Sequence, residues 1–152
     1  KKGVENECVV KDKKVIKSLK KKKKSKNKRI FSYKKNSRNF NIQSKDVNKY
    51  LKDLGDFTTK NFRTWNANLE LIKELIYSED DSNNIMKECI KNVAFKLHHT
   101  SSICKKNYLD PKLIEFYNNY PDEFIEYFYA PRTKNIDIVI STKLTEFLED
   151  NY

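Results

Sequence analysis

Between Thr59 and Tyr77 the apolar residues Phe62, Trp65, Leu69, Ile72 and Ile76 recur at steps of three and four. That is the period of an α-helix, and it predicts a long helix with one buried stripe. The same period predicts a helix from Asn83 to His98, with Ile85, Met86, Cys89, Ile90, Val93 and Leu97 turned inward and Asp81 or Ser82 of the SEDDSN loop as its cap. A turn at His99–Thr100 leads into a short helix or turn that ends near Tyr108. Pro111 and Pro121 stand where first helical turns begin, so helices are expected at 111–119 and 121–129. Beyond the break at Pro131, Ile136 to Ile140 reads as a strand and Thr142 to Leu148 as a last helix.

The amino-terminal third is patterned differently. VENECVV, from Val4 to Val10, reads as a strand entered through a turn at Gly3. A helix from Asp12 to about Lys22 has the narrow apolar face Val15, Ile16 and Leu19, and Lys20 to Arg29 reads as a basic helix end and loop. Ile30 to Tyr33 is expected to be extended. Ser44 is placed as the N-cap of a helix through Leu54, with Val47, Tyr50, Leu51 and Leu54 buried and Gly55 at C′. The fold class is therefore mainly α with a small β portion at the amino terminus, without repeats or an evident internal domain boundary. Because a fold rarely begins in mid-hairpin, further sequence is expected upstream of Lys1.

The 152 residues suffice for one real core, and 38% apolar with 35% charged residues is a soluble globular composition. No apolar run approaches the roughly 20 residues of a membrane helix, and the charged first residues are not a secretory signal. The charge is segregated. Residues 1–30 carry 14 Lys/Arg against 3 Asp/Glu, a net +11, while the rest carries 18 of each sign. Such a field suits a polyanion; a Lys-rich solvated segment is the plainer alternative. Cys8, Cys89 and Cys104 form no CxxC pair and are odd in number. They suggest neither zinc nor a disulfide framework, and a reducing compartment fits best.

Generic catalytic motifs are missing: there is no Gly-rich phosphate loop, no HExxH and no GxSxG. What remains is a set of basic residues and a tyrosine in order: FRTW around Arg63, then HHTSSICKKNYLDP about 35 residues later. Here a family resemblance becomes specific. DVNKYLKDLGDFTTKNFRTWNANL resembles the segment that contains the second catalytic arginine of small type IB DNA topoisomerases, the poxvirus and bacterial kind. NVAFKLHHTSSICKKNYLDP is similar to their active-site segment, in which His or Asn lies nine residues before the nucleophilic tyrosine, as His99 does before Tyr108. KKGVENECVV resembles the hairpin whose first lysine is the general acid. The resemblance covers most of residues 1–118; the tail from Pro121 matches no pattern of the family.

The resemblance implies the tyrosine recombinase/topoisomerase IB catalytic-domain fold, with residues 1–152 as a carboxy-terminal catalytic fragment. It implies Tyr108, Arg63, His99 and Lys1 as catalytic residues, with Lys2 as the alternative to Lys1. Arg63 would donate a bidentate pair to the phosphoryl oxygens and His99 another hydrogen bond. Tyr108 would attack phosphorus, and Lys1 would protonate the departing 5′ oxygen. The resemblance implies that no cofactor or metal is required. The implied partner is double-stranded DNA, the expected state a monomer, and the expected location intracellular wherever DNA resides: nucleus, viral factory or virion, or cytoplasm. The family's other arginine, upstream of the hairpin lysine, and its amino-terminal clamp have no counterpart in these residues, so the chain alone is expected to be impaired.

Each residue has a plainer reading. An arginine between Phe62 and Trp65 is commonly a surface charge, one of His98 and His99 is structural or solvent-facing, Trp65 is more often core than a base-stacking platform, and Cys104 is a packed residue rather than a nucleophile. Two other functions remain open. A tyrosine recombinase shares the Arg, Lys, His and Tyr logic, but carries an HxxR pair that is not found here. A non-catalytic DNA-binding domain would use the basic amino end alone.

Overall fold

The computed structural model describes residues 7, 9–24, 29–79 and 84–152. They divide into two compact units, residues 1–59 and 60–152. The division falls at the start of a helix, where no Pro- or Gly-rich linker marks it in the composition.

In the first unit Asp12 caps α1 (Lys13–Lys23) by accepting from Val15 N at 2.8 Å. A hairpin follows: β1 (Ser32–Lys35) pairs antiparallel with β2 (Arg38–Asn41), Tyr33 opposite Phe40 with their rings stacked at 5.5 Å. Asn36 and Ser37 turn it with φ of 46° and 63°. Two successive positive φ values are the signature of a two-residue hairpin loop whose twist matches the strands. The expected extended segment at Ile30–Tyr33 is thus half of a hairpin whose second strand was not anticipated, because Asn-Ser is a weaker turn signal than Asn-Gly.

α2 spans Ser44–Lys52. Ser44 is its first residue rather than its cap; that place belongs to Gln43, whose N–H donates to Asp46 Oδ2 at 2.8 Å. The helix stops before Leu54, and the expected buried face is largely open: Val47, Tyr50 and Leu54 are exposed. Among the described residues of this unit only Ser32 is buried, so the first unit has little core of its own. The expected strand at Val4–Val10 lies largely outside the described residues; Glu7, Val9 and Val10 belong to neither helix nor strand.

The second unit is helical throughout: α3 (Thr59–Ile76), α4 (Ile85–Lys96), α5 (Ser101–Tyr108), α6 (Pro111–Asn119), α7 (Pro121–Phe128) and α8 (Ile136–Asn151). These bounds agree closely with the periodic pattern up to Phe128, although the expected caps Asp81 and Ser82 lie outside the described residues and Asn84 stands at the start of α4. The core gathers Leu71, Ile72 and Leu75 of α3, Val93 of α4, Leu113 of α6, Phe124 and Phe128 of α7, and Ile140 and Leu144 of α8. Phe62, expected on the buried stripe of α3, is exposed, whereas Trp65 packs against the core edge as expected. Lys96 joins Glu70 at 2.6 Å and Glu74 at 2.8 Å, and Lys73 joins Asp137 at 2.6 Å. Partly exposed pairs of this kind contribute at most about 1 kcal/mol each. Burying a single Leu, Ile or Phe side chain contributes about 1.5–3 kcal/mol, so the apolar core outweighs the ion pairs.

A further expectation is overturned at the carboxy end. Ile136 to Ile140 is the first turn of α8, not a strand, and the helix continues unbroken to Asn151. IDIVI alternates locally, but its partners lie at helical spacing further on: Ile140, Leu144 and Phe147 are buried on one face. The two readings differ at Ile138. A strand would bury it beside Ile140, while the helix leaves Ile138 67% exposed and Ile140 fully buried. In denaturant unfolding, Ile140→Ala should therefore cost about 2–5 kcal/mol and Ile138→Ala less than about 1 kcal/mol. Equal losses would contradict the helix.

Candidate active site

The site is assembled at helix ends in the second unit. α4 finishes with its C-cap at Leu97, after which His98 takes the left-handed conformation with φ 56°. His98 N donates to Phe95 O at 3.0 Å and His99 N to Ala94 O at 2.8 Å. This pair of reversed bonds is a Schellman ending, with His98 in the position that glycine usually fills. Thr100 then caps α5, its side chain accepting from Ile103 N at 3.3 Å. Backbone hydrogen bonds on both sides leave His99 little freedom in the joint. The two adjacent histidines are thereby distinguished. His98 is exposed and serves the turn, while His99 is half-buried and faces the end of α5.

Tyr108 is the last residue of α5. Its ring lies against that of His99, with centroids 4.9 Å apart and planes within 14°. The Arg63 guanidinium carbon is 5.7 Å from the Tyr108 ring centroid, within the range of a cation–π contact. Arg63 belongs to the second turn of α3 and donates through Nη2 to the carbonyl of Leu97, the C-cap of α4. That carbonyl is one of the acceptors a helix end leaves open. The structure therefore brings together three of the four expected residues, Arg63, His99 and Tyr108, from three helices. Lys1, like its alternative Lys2, lies outside the described residues.

Two features show what this cluster can do. Arg63 Nε is buried and has no hydrogen-bond partner among the described residues. A buried donor left unmade costs about 1–3 kcal/mol, more for a charged group, so this N–H is open to an added acceptor such as a water or an anion. Nearby, burial pushes the Cys104 thiol above its usual range, an effect that the positive charge of Arg63 only partly offsets. Cys104 is fully buried and kept protonated, a packing residue as expected.

The sequence reading missed Asn68. It is 5% exposed, on the buried face of α3 between Ala67 and Leu69. Its Nδ2 donates to Thr64 O at 2.9 Å and to Tyr108 O at 3.1 Å, and its Oδ1 accepts from Asp110 N at 2.8 Å. The signal was present: an amide inside an apolar helical stripe needs partners, though the stripe alone does not say which.

A family model described as "Eukaryotic DNA topoisomerase I, catalytic core" matches residues 2–124. The chain belongs to the type IB DNA topoisomerase family. The match takes in Arg63, Asn68, His99 and Tyr108 and ends within α7, leaving α8 beyond it. A curated relative, the DNA topoisomerase 1B of Acanthamoeba polyphaga mimivirus, is 33% identical over 102 residues. That alignment covers 60% of this chain and 30% of the viral topoisomerase, so the chain spans well under half of that relative's length. No solved structure matches the chain significantly. Among the described residues no helix is long and apolar enough to cross a membrane, and no group of His, Cys, Asp and Glu is arranged to hold a metal.

The left-handed joint gives a direct test of how this topoisomerase segment holds its histidine. Left-handed φ costs a residue with a Cβ about 1–2 kcal/mol and glycine almost nothing. His98→Gly should therefore unfold at or above the denaturant midpoint of the parent, and His98→Val, whose β-branched side chain fits left-handed φ worse than histidine's, below it. A loss in His98→Gly as large as in His98→Val would mean that the imidazole, not the backbone, matters at this position.

Proposed function

We propose that this chain cleaves and reseals one strand of duplex DNA through a 3′-phosphotyrosyl intermediate and so relaxes supercoils. The observation that carries the reading is the convergence of Arg63 and His99 on Tyr108. In the proposed reaction the Tyr108 oxygen attacks phosphorus, the P–O5′ bond breaks, and the 5′ oxygen leaves with a proton. Phosphorus remains esterified to tyrosine, so one phosphoester replaces another and its energy is retained for resealing. Reversal by the same 5′ hydroxyl regenerates the strand. The step conserves its bond energy and calls for neither a nucleotide nor a metal.

Charge accumulates on the non-bridging oxygens as the tyrosine attacks, and the unpartnered Arg63 Nε is a donor suited to it. The tie to Leu97 O would hold the guanidinium plane before DNA arrives, so little reorganisation accompanies the reaction. His99, fixed by the Schellman joint, would supply a second donor. Lys1 is proposed as the general acid, on the resemblance of KKGVENECVV to the family's hairpin. The basic block at residues 1–30 would bind the DNA backbone without reading bases.

A recombinase would require paired specific sites, whereas this reading predicts relaxation of any supercoiled plasmid by the full gene product. Single-turnover cleavage separates the residues. Arg63→Ala should lose about 100- to 1000-fold in rate, and Arg63→Lys should recover little because an ammonium lacks the planar fork. A 5′-bridging sulfur leaves as a thiolate without a general acid. It should restore near-normal cleavage to Lys1→Ala but much less to Arg63→Ala. If sulfur rescues neither Lys1→Ala nor Lys2→Ala, the general acid lies elsewhere.

A further inference from the structure

Asn68 holds the chain on both sides of the peptide that follows the nucleophile. Its amide nitrogen reaches Tyr108 O and its amide oxygen receives Asp110 N, spanning Leu109 like a staple. Asp110 is also the N-cap of α6, accepting from Lys112 N at 2.9 Å. The Tyr108 carbonyl stands at the end of α5, where acceptors have no partner within the helix. The same Asn68 Nδ2 is anchored to Thr64 O on its own helix, so the side chain is held at three points. Thr64 adjoins Arg63, so Asn68, the anchor of the Tyr108 backbone, is tied to the residue next to the arginine on the same helix.

Building on the topoisomerase reading, we propose that Asn68 is a positioning residue that sets the place of Tyr108 relative to Arg63. It touches no reacting atom. It fixes the main chain from which the tyrosine ring projects, and that ring stacks on His99 and lies within cation–π range of the guanidinium. An in-line attack tolerates little displacement, and a shift of about 1 Å can cost on the order of 100-fold in rate.

Three substitutions test this in the full gene product. Asn68→Ala removes both contacts. Amide hydrogen exchange at Asp110 should accelerate at least about 10-fold while the amides of Leu71 and Leu75 keep their protection. Non-covalent DNA affinity should stay within about threefold of the parent, and single-turnover cleavage should fall about 10- to 100-fold. Asn68→Asp keeps the shape and the acceptor for Asp110 N but, when ionised, lacks the donor to Tyr108 O. Protonation restores a donor, and burial raises the pKa of such a carboxyl. Its cleavage rate relative to the parent should therefore climb as pH falls from about 8 to about 5. Asn68→Leu should fold and bind DNA yet stay slow at every pH, which separates a lost donor from a lost shape.

Should Asn68→Ala free the Asp110 amide yet cleave at the parental rate, the positioning role is wrong. A pH profile of Asn68→Asp parallel to the parent's would overturn it too, even where Asn68→Ala fails to fold. A parent protein that forms no covalent complex at all would overturn the topoisomerase reading itself, and the role of Asn68 with it.

Discussion

The guanidinium of Arg63 is tied to the carbonyl of Leu97, and this one hydrogen bond joins the arginine-bearing helix to the end of the helix that delivers the histidine. It serves two needs at once. It satisfies an acceptor that the end of α4 cannot satisfy internally, and it holds a half-buried cation in place. Because Leu71, Ile72 and Leu75 are sunk in the core, α3 cannot slide without disturbing the packing of the whole second unit. The arginine is therefore referenced to the core, and His99 and Tyr108 are referenced to the arginine. The cluster is a by-product of helix termination: the Schellman end of α4, the end of α5 and the N-cap of α6 each leave backbone groups that Arg63 or Asn68 of α3 completes.

That arrangement explains which parts were legible in the sequence. The helices from Thr59 to Phe128 could be read because their apolar faces repeat at helical steps and their caps and prolines stand at the boundaries. That Arg63, His99 and Tyr108 form one candidate group was readable from the motif and the nine-residue spacing, and the three do lie side by side. The reason His99 rather than His98 faces the tyrosine was not readable, because it lies in the φ of His98, and a histidine does not advertise a left-handed turn as glycine does. Asn68 was passed over for a related reason. Its role comes from Tyr108 and Asp110, 40 and 42 residues away, and no local pattern reports so distant a partner.

The errors have physical causes as well. IDIVI satisfies the strand period over five residues, and only the tertiary partners of Ile140, Leu144 and Phe147 make it a helix. α2 has an amphipathic sequence, yet Val47 and Tyr50 are exposed, because amphipathicity states what a face would prefer to touch and not whether anything covers it. The β2 strand went unseen because Asn36-Ser37 adopts positive φ without a glycine.

The central claim is that Tyr108 is the residue that becomes joined to DNA. Incubating the full gene product with duplex DNA, denaturing rapidly, digesting, and mapping the nucleotide-bearing peptide by mass spectrometry tests it without any assumption about the other residues. The account predicts a single modified peptide, the one containing Tyr108, linked to a 3′ phosphate, and no adduct in Tyr108→Phe. An adduct on another residue, or one that persists in Tyr108→Phe, would contradict it.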